Sequence, residues 1–256
     1  MGHELRAIYT LWIREIKRFA RQKSRIMGMV IQPLIFLFFI GKGMSSSLPM
    51  AGNMDFLKFV YPGIIGMTLL MPSIGNGISL VMDREFGFLK EILVAPVSRT
   101  SISIGKALGG GTVSLIGGTI VLFLSPFVGI SLSPLVIIKL LLFMALTTFT
   151  MTSFGILLAI PMESTEGFQM IMTLLAMPMF FLSGAFFPLE GVPGWMYFLM
   201  RINPMAYAVD GLRNIMYNSP ELKAMTQFNL SFDIGVIAVF GFVITILAVI
   251  AFNIKE

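Results

Sequence analysis

The chain has 256 residues, of which 56% are hydrophobic and only 12% are charged, and this composition predicts a polytopic membrane protein rather than a soluble one. It contains no cysteine and one histidine, His3, so disulfides, thiolate metal sites and a buried histidine-dependent triad are excluded. The formal net charge is +5, but no basic and aromatic soluble segment accompanies it, so nucleic acid is not an expected partner.

The first 25 residues form one amphipathic element. Apolar residues recur at helical spacing from Leu5 to Phe19, and lysines and arginines form a cationic face. Such a helix is expected to lie in the membrane interface, with its basic side toward anionic head groups. A positive flank that only fixes topology is the alternative. A secretory signal is disfavoured, because the charged region is too long and no small-residue cleavage site follows.

Six apolar stretches are expected to span the bilayer. They are residues 26–40, 59–82, 102–128, 135–160, 168–187 and 232–252. The first is extended into its flanking residues, because a bilayer core of about 30 Å needs roughly 20 helical residues. Glycines in the second and third stretches are expected to let helices pack closely. Gly109–Gly111 is not followed by the GK[ST] of a phosphate-binding loop.

The distribution of positive charge predicts the orientation of these spans. Six spans place both termini on one side, and 12 of the 18 lysines and arginines lie on that side, which also holds residues 83–99. The positive-inside rule therefore predicts that both termini and residues 83–99 are cytoplasmic.

Residues 83–99, DREFGFLKEILVAPVSR, form a charged and partly apolar loop between the second and third spans. Phe86, Leu89 and Leu93 fall at helical spacing, and Pro96 ends the helix. The charged residues expected to stay in solvent are Arg84, Glu85, Lys90 and Glu91. A short helix of this kind can dock its apolar edge into a groove on a soluble partner. A solvated loop without a partner is the alternative.

Residues 188–231 are too long and too apolar for a simple loop. Asn203 and Pro204 are typical of an N-cap followed by proline at the first helical position. Asp210 and Arg213 in the following helix are spaced to pair on one face. The helical pieces here are too short to span, so they are expected to enter the outer leaflet and return, shielded by protein.

Two segments resemble the type 2 ABC exporter permeases. DRE, Gly87 and ILVAPVSR, followed by Gly105 and Lys106, resemble the loop that in this family forms the coupling helix on a separate ATPase subunit. FLSGAFFPLEGVPGW and INPMAYAVDGLR resemble the re-entrant helices before the last span of that family. The compact drug-resistance branch, typified by daunorubicin exporters, is the most similar, because large extracellular domains and a fused nucleotide-binding domain are absent from the sequence.

The resemblance implies an all-α polytopic protein with six transmembrane helices and the type 2 ABC permease fold. One permease domain is expected over residues 1–256, with an interfacial helix (1–25), a coupling loop (83–99) and a re-entrant segment (188–231). It implies a non-enzymatic subunit in a prokaryotic cell membrane that moves a hydrophobic or amphipathic, drug- or lipid-like substrate outward. ATP and Mg²⁺ are expected on a partner ABC ATPase. A second permease copy is expected, in a homodimer or a heterodimer.

Three sets of residues are candidates for this function, and none is catalytic or metal-binding. The ATPase-coupling candidates are Asp83, Arg84, Glu85, Phe86, Gly87, Leu89, Glu91, Leu93, Pro96 and Arg99. The resemblance assigns the substrate path to spans one, two and five, where the candidates are Phe36, Phe39, Met67, Met71, Asn76, Met177, Phe180 and Phe181. The re-entrant candidates are Gly184, Pro188, Asn203, Pro204, Asp210 and Arg213. Methionine and phenylalanine walls suit a greasy or amphipathic substrate, with helix packing or lipid contact as the alternative.

The sequence favours an external source of energy. It contains no Walker A motif, so the chain is not expected to hydrolyse ATP. An ion-coupled carrier usually has ionisable residues inside its spans. Lys106 and Lys139 lie near helix ends and are expected to snorkel, and Asp233 starts its span. Two alternatives stay open, a membrane scaffold that recruits a soluble partner and an ion-coupled carrier that uses a residue such as Asn76.

Overall fold

The computed structural model describes residues 2–42, 56–88, 97–186, 191–217 and 226–255. These residues are largely helical, and no strand occurs among them, so the all-α prediction is confirmed. The helices are α1 (Gly2–Arg21), α2 (Lys23–Phe36), α3 (Phe56–Gly75), α4 (Ile78–Glu85), α5 (Arg99–Leu122), α6 (Pro134–Ala159), α7 (Thr165–Phe181), α8 (Gly194–Ile202), α9 (Pro204–Met216) and α10 (Leu230–Lys255). A π-helical turn, Leu37–Lys42, extends α2, and a 3₁₀ helix, Ser125–Val128, follows α5.

Four helical segments of the described chain are long and apolar enough to cross a bilayer. They are Phe56–Glu85, Arg99–Leu122, Pro134–Ala159 and Leu230–Lys255, which coincide with the second, third, fourth and sixth predicted spans. The shorter α2 and α7, of 14 and 17 residues, occupy the first and fifth predicted spans. The chain is therefore a multi-pass membrane protein, and the count of six spans stays a prediction.

The second span is not one continuous helix, because α3 and α4 are separated by a turn at Asn76 and Gly77. This turn lies directly against α6. A Cβ atom on Gly77 would overlap the carbonyl oxygen of Gly155, and a Cβ atom on Gly155 would overlap the carbonyl oxygen of Ile74. The backbones are in direct contact here, so both positions require glycine, as expected for close helix packing in lipid.

The centre of the bundle is α3, which packs against α5, α6, α7 and α9. It is buried on nearly all sides, including Ile65, Leu69 and Leu70, as expected for a helix that is hydrophobic all round. By contrast, α10 packs on α6 and α9 and leaves a broad apolar face exposed, including Phe242 and Leu247. Such a face is suited to contact with lipid acyl chains.

The N-terminal helix is present, and it packs along the first half of α5. Gly105 and Gly109 of α5 are in close contact with Leu11 and Glu15 of α1, respectively. Farther along, the Trp12 indole N–H donates to the Thr112 hydroxyl at 3.0 Å. The helix ends at Arg21, so Lys23 and Arg25 begin α2. Its predicted position in the membrane interface stays a prediction.

The segment before the last span contains the two predicted short helices, α8 and α9. The Asn203 side chain accepts a hydrogen bond from the Met205 N–H at 3.0 Å, and Pro204 occupies the first turn of α9, so the predicted cap is confirmed. Many apolar side chains of α8 are exposed, whereas α9 is buried over most of its length. Pro188 lies outside the described residues, and re-entry into the outer leaflet stays a prediction.

Candidate functional site

The predicted coupling loop is described only at its two ends. Leu89, Lys90, Glu91, Leu93 and Pro96 lie outside the described residues, so the predicted coupling helix stays a prediction. The first end is the last turn of α4 and the residues after it. Here Gly87 has a φ of 77°, a left-handed conformation that favours glycine and turns the chain away from α4. At the second end, Arg99 begins α5 and donates to the Asn253 carbonyl at 2.8 Å.

Asp83, at the start of the loop, is buried and bonded within the chain. Its carboxylate accepts hydrogen bonds from Lys106 at 2.5 Å and from Arg14 at 2.7 Å. The Lys106 ammonium also lies 3.8 Å from Glu15 and donates to the Ser79 hydroxyl at 3.1 Å. We name Arg14, Glu15, Asp83 and Lys106 the inner charge cluster. These four side chains come from α1, α4 and α5, so the cluster joins three helices where the loop begins.

The prediction that Lys106 snorkels to the membrane surface is wrong. The residue is only 3% exposed, and its ammonium is directed into the inner charge cluster. A buried ammonium is tolerated there because two carboxylates offset its charge. Lys139 in α6, by contrast, is exposed. Asp233 is also fully buried, and its carboxylate accepts a hydrogen bond from Asn214 at 3.0 Å. The spans therefore contain more buried ionisable side chains than we expected from the sequence.

Arg84 is also bonded within the chain, and it is half-buried rather than fully solvated. Its guanidinium donates to the carbonyl oxygens of Ile160 and Met162 at 2.9 and 2.6 Å, where α6 ends. The last carbonyls of a helix have no partner within the helix, and Arg84 supplies one. Glu85 and Phe86 are different, because both are exposed, and 74% of Phe86 is accessible to solvent. In the described part of the loop, these two candidates are available to a partner.

Helix α1 is bonded to both ends of the coupling loop. Arg14 reaches Asp83 at the first end, and the Glu4 carboxylate accepts from the Ser98 N–H at 3.1 Å and the Ser98 hydroxyl at 2.7 Å at the second. Hydrogen bonds from the Ser101 and Ser98 hydroxyls lower the pKa of Glu4, so this carboxylate is held in its charged form. A displacement of the loop would therefore be transmitted to α1 as well as to α4 and α5.

A cleft of about 350 Å³ opens between α2, α3 and α7. This volume is within the range of small-molecule sites. Its apolar walls include Pro33, Phe36, Met67, Met71, Pro72 and Met172. Arg25, from the first turns of α2, is the one charged residue among the described residues that line it. The cleft is therefore an apolar groove with a single cationic group.

The predicted substrate-path residues are distributed over several environments. Phe36, Met67 and Met71 line the cleft. Asn76 is 7% exposed, and its amide donates to the Gly110 carbonyl and accepts from Arg25, both at 2.8 Å. Of the remaining candidates, Phe180 is buried in the core, whereas those exposed on the surface are Phe39, Met177 and Phe181.

Sequence reasoning missed Arg25 and Met172 as cleft residues. Arg25 belongs by composition to the basic N-terminal stretch, and the break after Arg21 that moves it onto α2 has no proline or glycine to mark it.

Asp210 and Arg213 lie close enough for their charges to interact, but they form no ion pair within 4 Å, because both side chains bond backbone groups instead. The Asp210 carboxylate accepts the N–H groups of residues 227–228 at 2.9 to 3.0 Å. The Arg213 guanidinium donates to the Gly184 carbonyl at 2.8 Å and the Phe59 carbonyl at 3.2 Å, and lies 4.3 Å from the centre of the Phe59 ring. Both residues therefore bond α9 to the start of α3, to the residues after α7 and to the residues before α10. These contacts lie at the end of the bundle away from the coupling loop.

Comparison with known proteins identifies the family. The pattern of the ABC-2 type transporter family matches residues 6–217. Transport permease ycf38 of Cyanophora paradoxa is 30% identical over 232 residues, which cover 89% of this chain and 80% of that protein. Inner membrane transport permease YadH of Escherichia coli K12 is 26% identical over 242 residues, 91% of this chain and 90% of YadH. Nodulation protein J of Rhizobium meliloti is 27% identical over 199 residues, 77% and 76% of the two chains. With a family match over most of its length and relatives of similar size, the chain belongs to the ABC-2 type transporter family and is a transport permease.

Proposed function

We propose that this permease is the membrane subunit of an ATP-driven exporter, which moves a hydrophobic or amphipathic molecule outward and is powered by a separate ABC ATPase. Membership of the ABC-2 family implies association with such an ATPase. The observation that carries the proposal is the bonding of α1 to both ends of the coupling loop, at Asp83 and at Ser98. The cytoplasmic ATPase would hold ATP and Mg²⁺, and both termini of the permease would lie on the same side.

The hydrogen bonds and ion pairs of the loop suggest how its movement would reach the helices of the bundle. The ATPase would contact the exposed Glu85 and Phe86, together with the loop residues that follow them. A displacement of the loop would move α1, α4 and α5 together, because the inner charge cluster joins them. Since α4 is connected to α3 through the turn at Asn76 and Gly77, the movement would reach the wall of the cleft.

The cleft supports the assignment of the substrate class. It lies between α2, α3 and α7, the helices that correspond to the spans to which the resemblance assigns the substrate path. Its methionine and phenylalanine walls suit a flexible apolar molecule. Exposed apolar side chains continue beside it on α2 and α7, including Ile35 and Leu174. A second permease copy, identical or related, would enclose the cleft by covering this surface.

Replacing Phe86 with aspartate is expected to weaken binding of the ATPase by about 2 kcal/mol or more, roughly 30-fold, because an exposed aromatic anchor would be lost from the interface. Glu85→Arg and Leu89→Asp are expected to act in the same direction. The measurement is the affinity of the purified permease for its ATPase, together with ATP-dependent transport. The matched control is Phe127→Asp, which changes another highly exposed phenylalanine, in the 3₁₀ helix after α5, and is expected to leave ATPase affinity unchanged.

Three outcomes separate the candidate functions. If the Phe86 and Glu85 variants bind the ATPase normally and transport at the normal rate, the loop is not the coupling element. Binding of a soluble partner without any nucleotide-dependent transport would favour a scaffold. Transport that depends on a proton or sodium gradient and proceeds without an ATPase would favour an ion-coupled carrier.

A further inference from the structure

We propose that the cleft binds the anionic head group of an amphipathic substrate, with Arg25 as the residue that pairs with it. This inference rests on the proposed function, because it names the chemical class of the exported molecule. It commits to an anionic amphiphile and disfavours neutral molecules and organic cations.

The first observation is that Arg25 has no carboxylate in direct contact within the described part of the chain. Its guanidinium donates one hydrogen bond to Asn76, at 2.8 Å, and lies 5.9 Å from the centre of the Phe19 ring. Among the described residues, none offers Arg25 a carboxylate within 4 Å. Glu15 acts on Arg25 only from farther away, because its carboxylate is held in the inner charge cluster, 3.5 Å from Arg14. A half-buried guanidinium without a carboxylate partner is suited to a carboxylate or phosphate ligand.

The second observation is the position of Arg25 within the cleft. The residues of α3 and α4 that line the cleft run from Ile64 to Ile78, which corresponds to roughly 20 Å of helix at the usual rise per residue. Arg25 bonds to Asn76 and therefore lies near the loop-side end, whereas Phe36 and Ile64 lie toward the other end. One end is thus cationic and the rest is mostly apolar, which matches one charged head group followed by a hydrocarbon chain.

The position of Arg25 also indicates the side of the membrane from which the substrate would enter the cleft. The end of the cleft that holds Arg25 is the end nearer the coupling loop, which would face the cytoplasm. The head group would therefore enter at the level of the inner leaflet, and the chain would lie along the groove against Met67 and Met71. An organic cation would meet repulsion from Arg25, and a neutral molecule would leave the guanidinium without a counter-charge.

The test measures binding by the purified full-length permease in nanodiscs of uncharged lipid. The probes are a long-chain fatty acid with a fluorophore near its methyl end, and the alcohol and the trimethylammonium compound with the same chain. The acid is expected to bind about 10-fold more tightly than the alcohol, as for a hydrogen bond between charged groups. Arg25→Gln is expected to abolish this preference, and Arg25→Lys to retain most of it. The control is Lys23→Gln, which removes an exposed charge from the first turn of the same helix and is expected to change nothing.

The results of this experiment distinguish failure of the binding site, of the substrate class and of the exporter function. Equal binding of acid and alcohol, or an equal loss in Lys23→Gln and Arg25→Gln, would overturn the site, and thermal unfolding of each variant identifies a folding defect. ATP-dependent transport is then measured with the ATPase present. Transport of the alcohol but not of the acid would overturn the assigned substrate class and leave the exporter function intact. Absence of ATP-dependent transport for every probe, with Arg25-dependent binding intact, would overturn the exporter function and not the site.

Discussion

Replacing Lys106 with methionine is expected to destabilise the permease by about 3–5 kcal/mol, the usual cost of removing one partner from a buried ion pair. Lys106 is 3% exposed and offsets the charges of Asp83 and Glu15, so its loss would leave two buried carboxylates with Arg14 as their only cation in the cluster. The measurement is the free energy of unfolding in detergent, or the midpoint of thermal unfolding where unfolding is irreversible. The fraction of folded protein recovered from membranes is expected to fall as well.

Two further variants make this prediction specific. Lys139→Met removes an exposed lysine from α6 and is expected to change stability by less than about 0.5 kcal/mol. Lys106→Met combined with Asp83→Asn removes a positive and a negative charge together, which leaves Arg14 and Glu15 as a pair 3.5 Å apart. The double variant is therefore expected to be more stable than Lys106→Met alone. A double variant as unstable as the sum of the two single variants would contradict the pairing of Lys106 with Asp83.

Replacing Gly155 with alanine is expected to destabilise the permease by about 1–3 kcal/mol or more, because it inserts a methyl group between two backbones in contact. The added Cβ would overlap the carbonyl oxygen of Ile74 and press on its Cα atom, and backbone atoms cannot move away as a flexible side chain can. The measurement is again the free energy of unfolding. Gly77→Ala is expected to have an effect of the same sign, since its Cβ would overlap the Gly155 carbonyl.

The control for this prediction is Gly235→Ala in α10, where an added Cβ meets no atom within 4 Å. This change is expected to be neutral or stabilising by roughly 0.5–1 kcal/mol, the usual difference between glycine and alanine within a helix. If Gly155→Ala were as stable as the wild-type protein, the close approach of α6 to the turn after α3 would be wrong.

Local signals in the sequence predicted most of the helices. Hydrophobicity and length are sufficient for α5, α6 and α10, since a bilayer span requires a long apolar run. The start of α9 was equally predictable, because the Asn203 cap and Pro204 act within one turn of the helix.

Contacts between distant residues were not predictable in this way. Lys106 is close to a helix end in sequence, but the carboxylates that stabilise its burial are 23 and 91 positions away, on α4 and α1. The spacing of Asp210 and Arg213 allows a pair on one helix face, yet backbone groups of other segments bond both side chains. Each outcome depends on which helices pack together, and periodicity along one helix does not contain that information.

The most direct test of this account is transport by the purified permease and its ATPase, reconstituted in vesicles with the coupling loop facing outward. We expect uptake of an amphipathic substrate that requires both chains and hydrolysable ATP and that is lost in the Phe86→Asp variant. Transport at the full rate by the permease alone, or uptake that follows an ion gradient and ignores ATP, would contradict the claim that a separate ATPase drives this protein through its coupling loop.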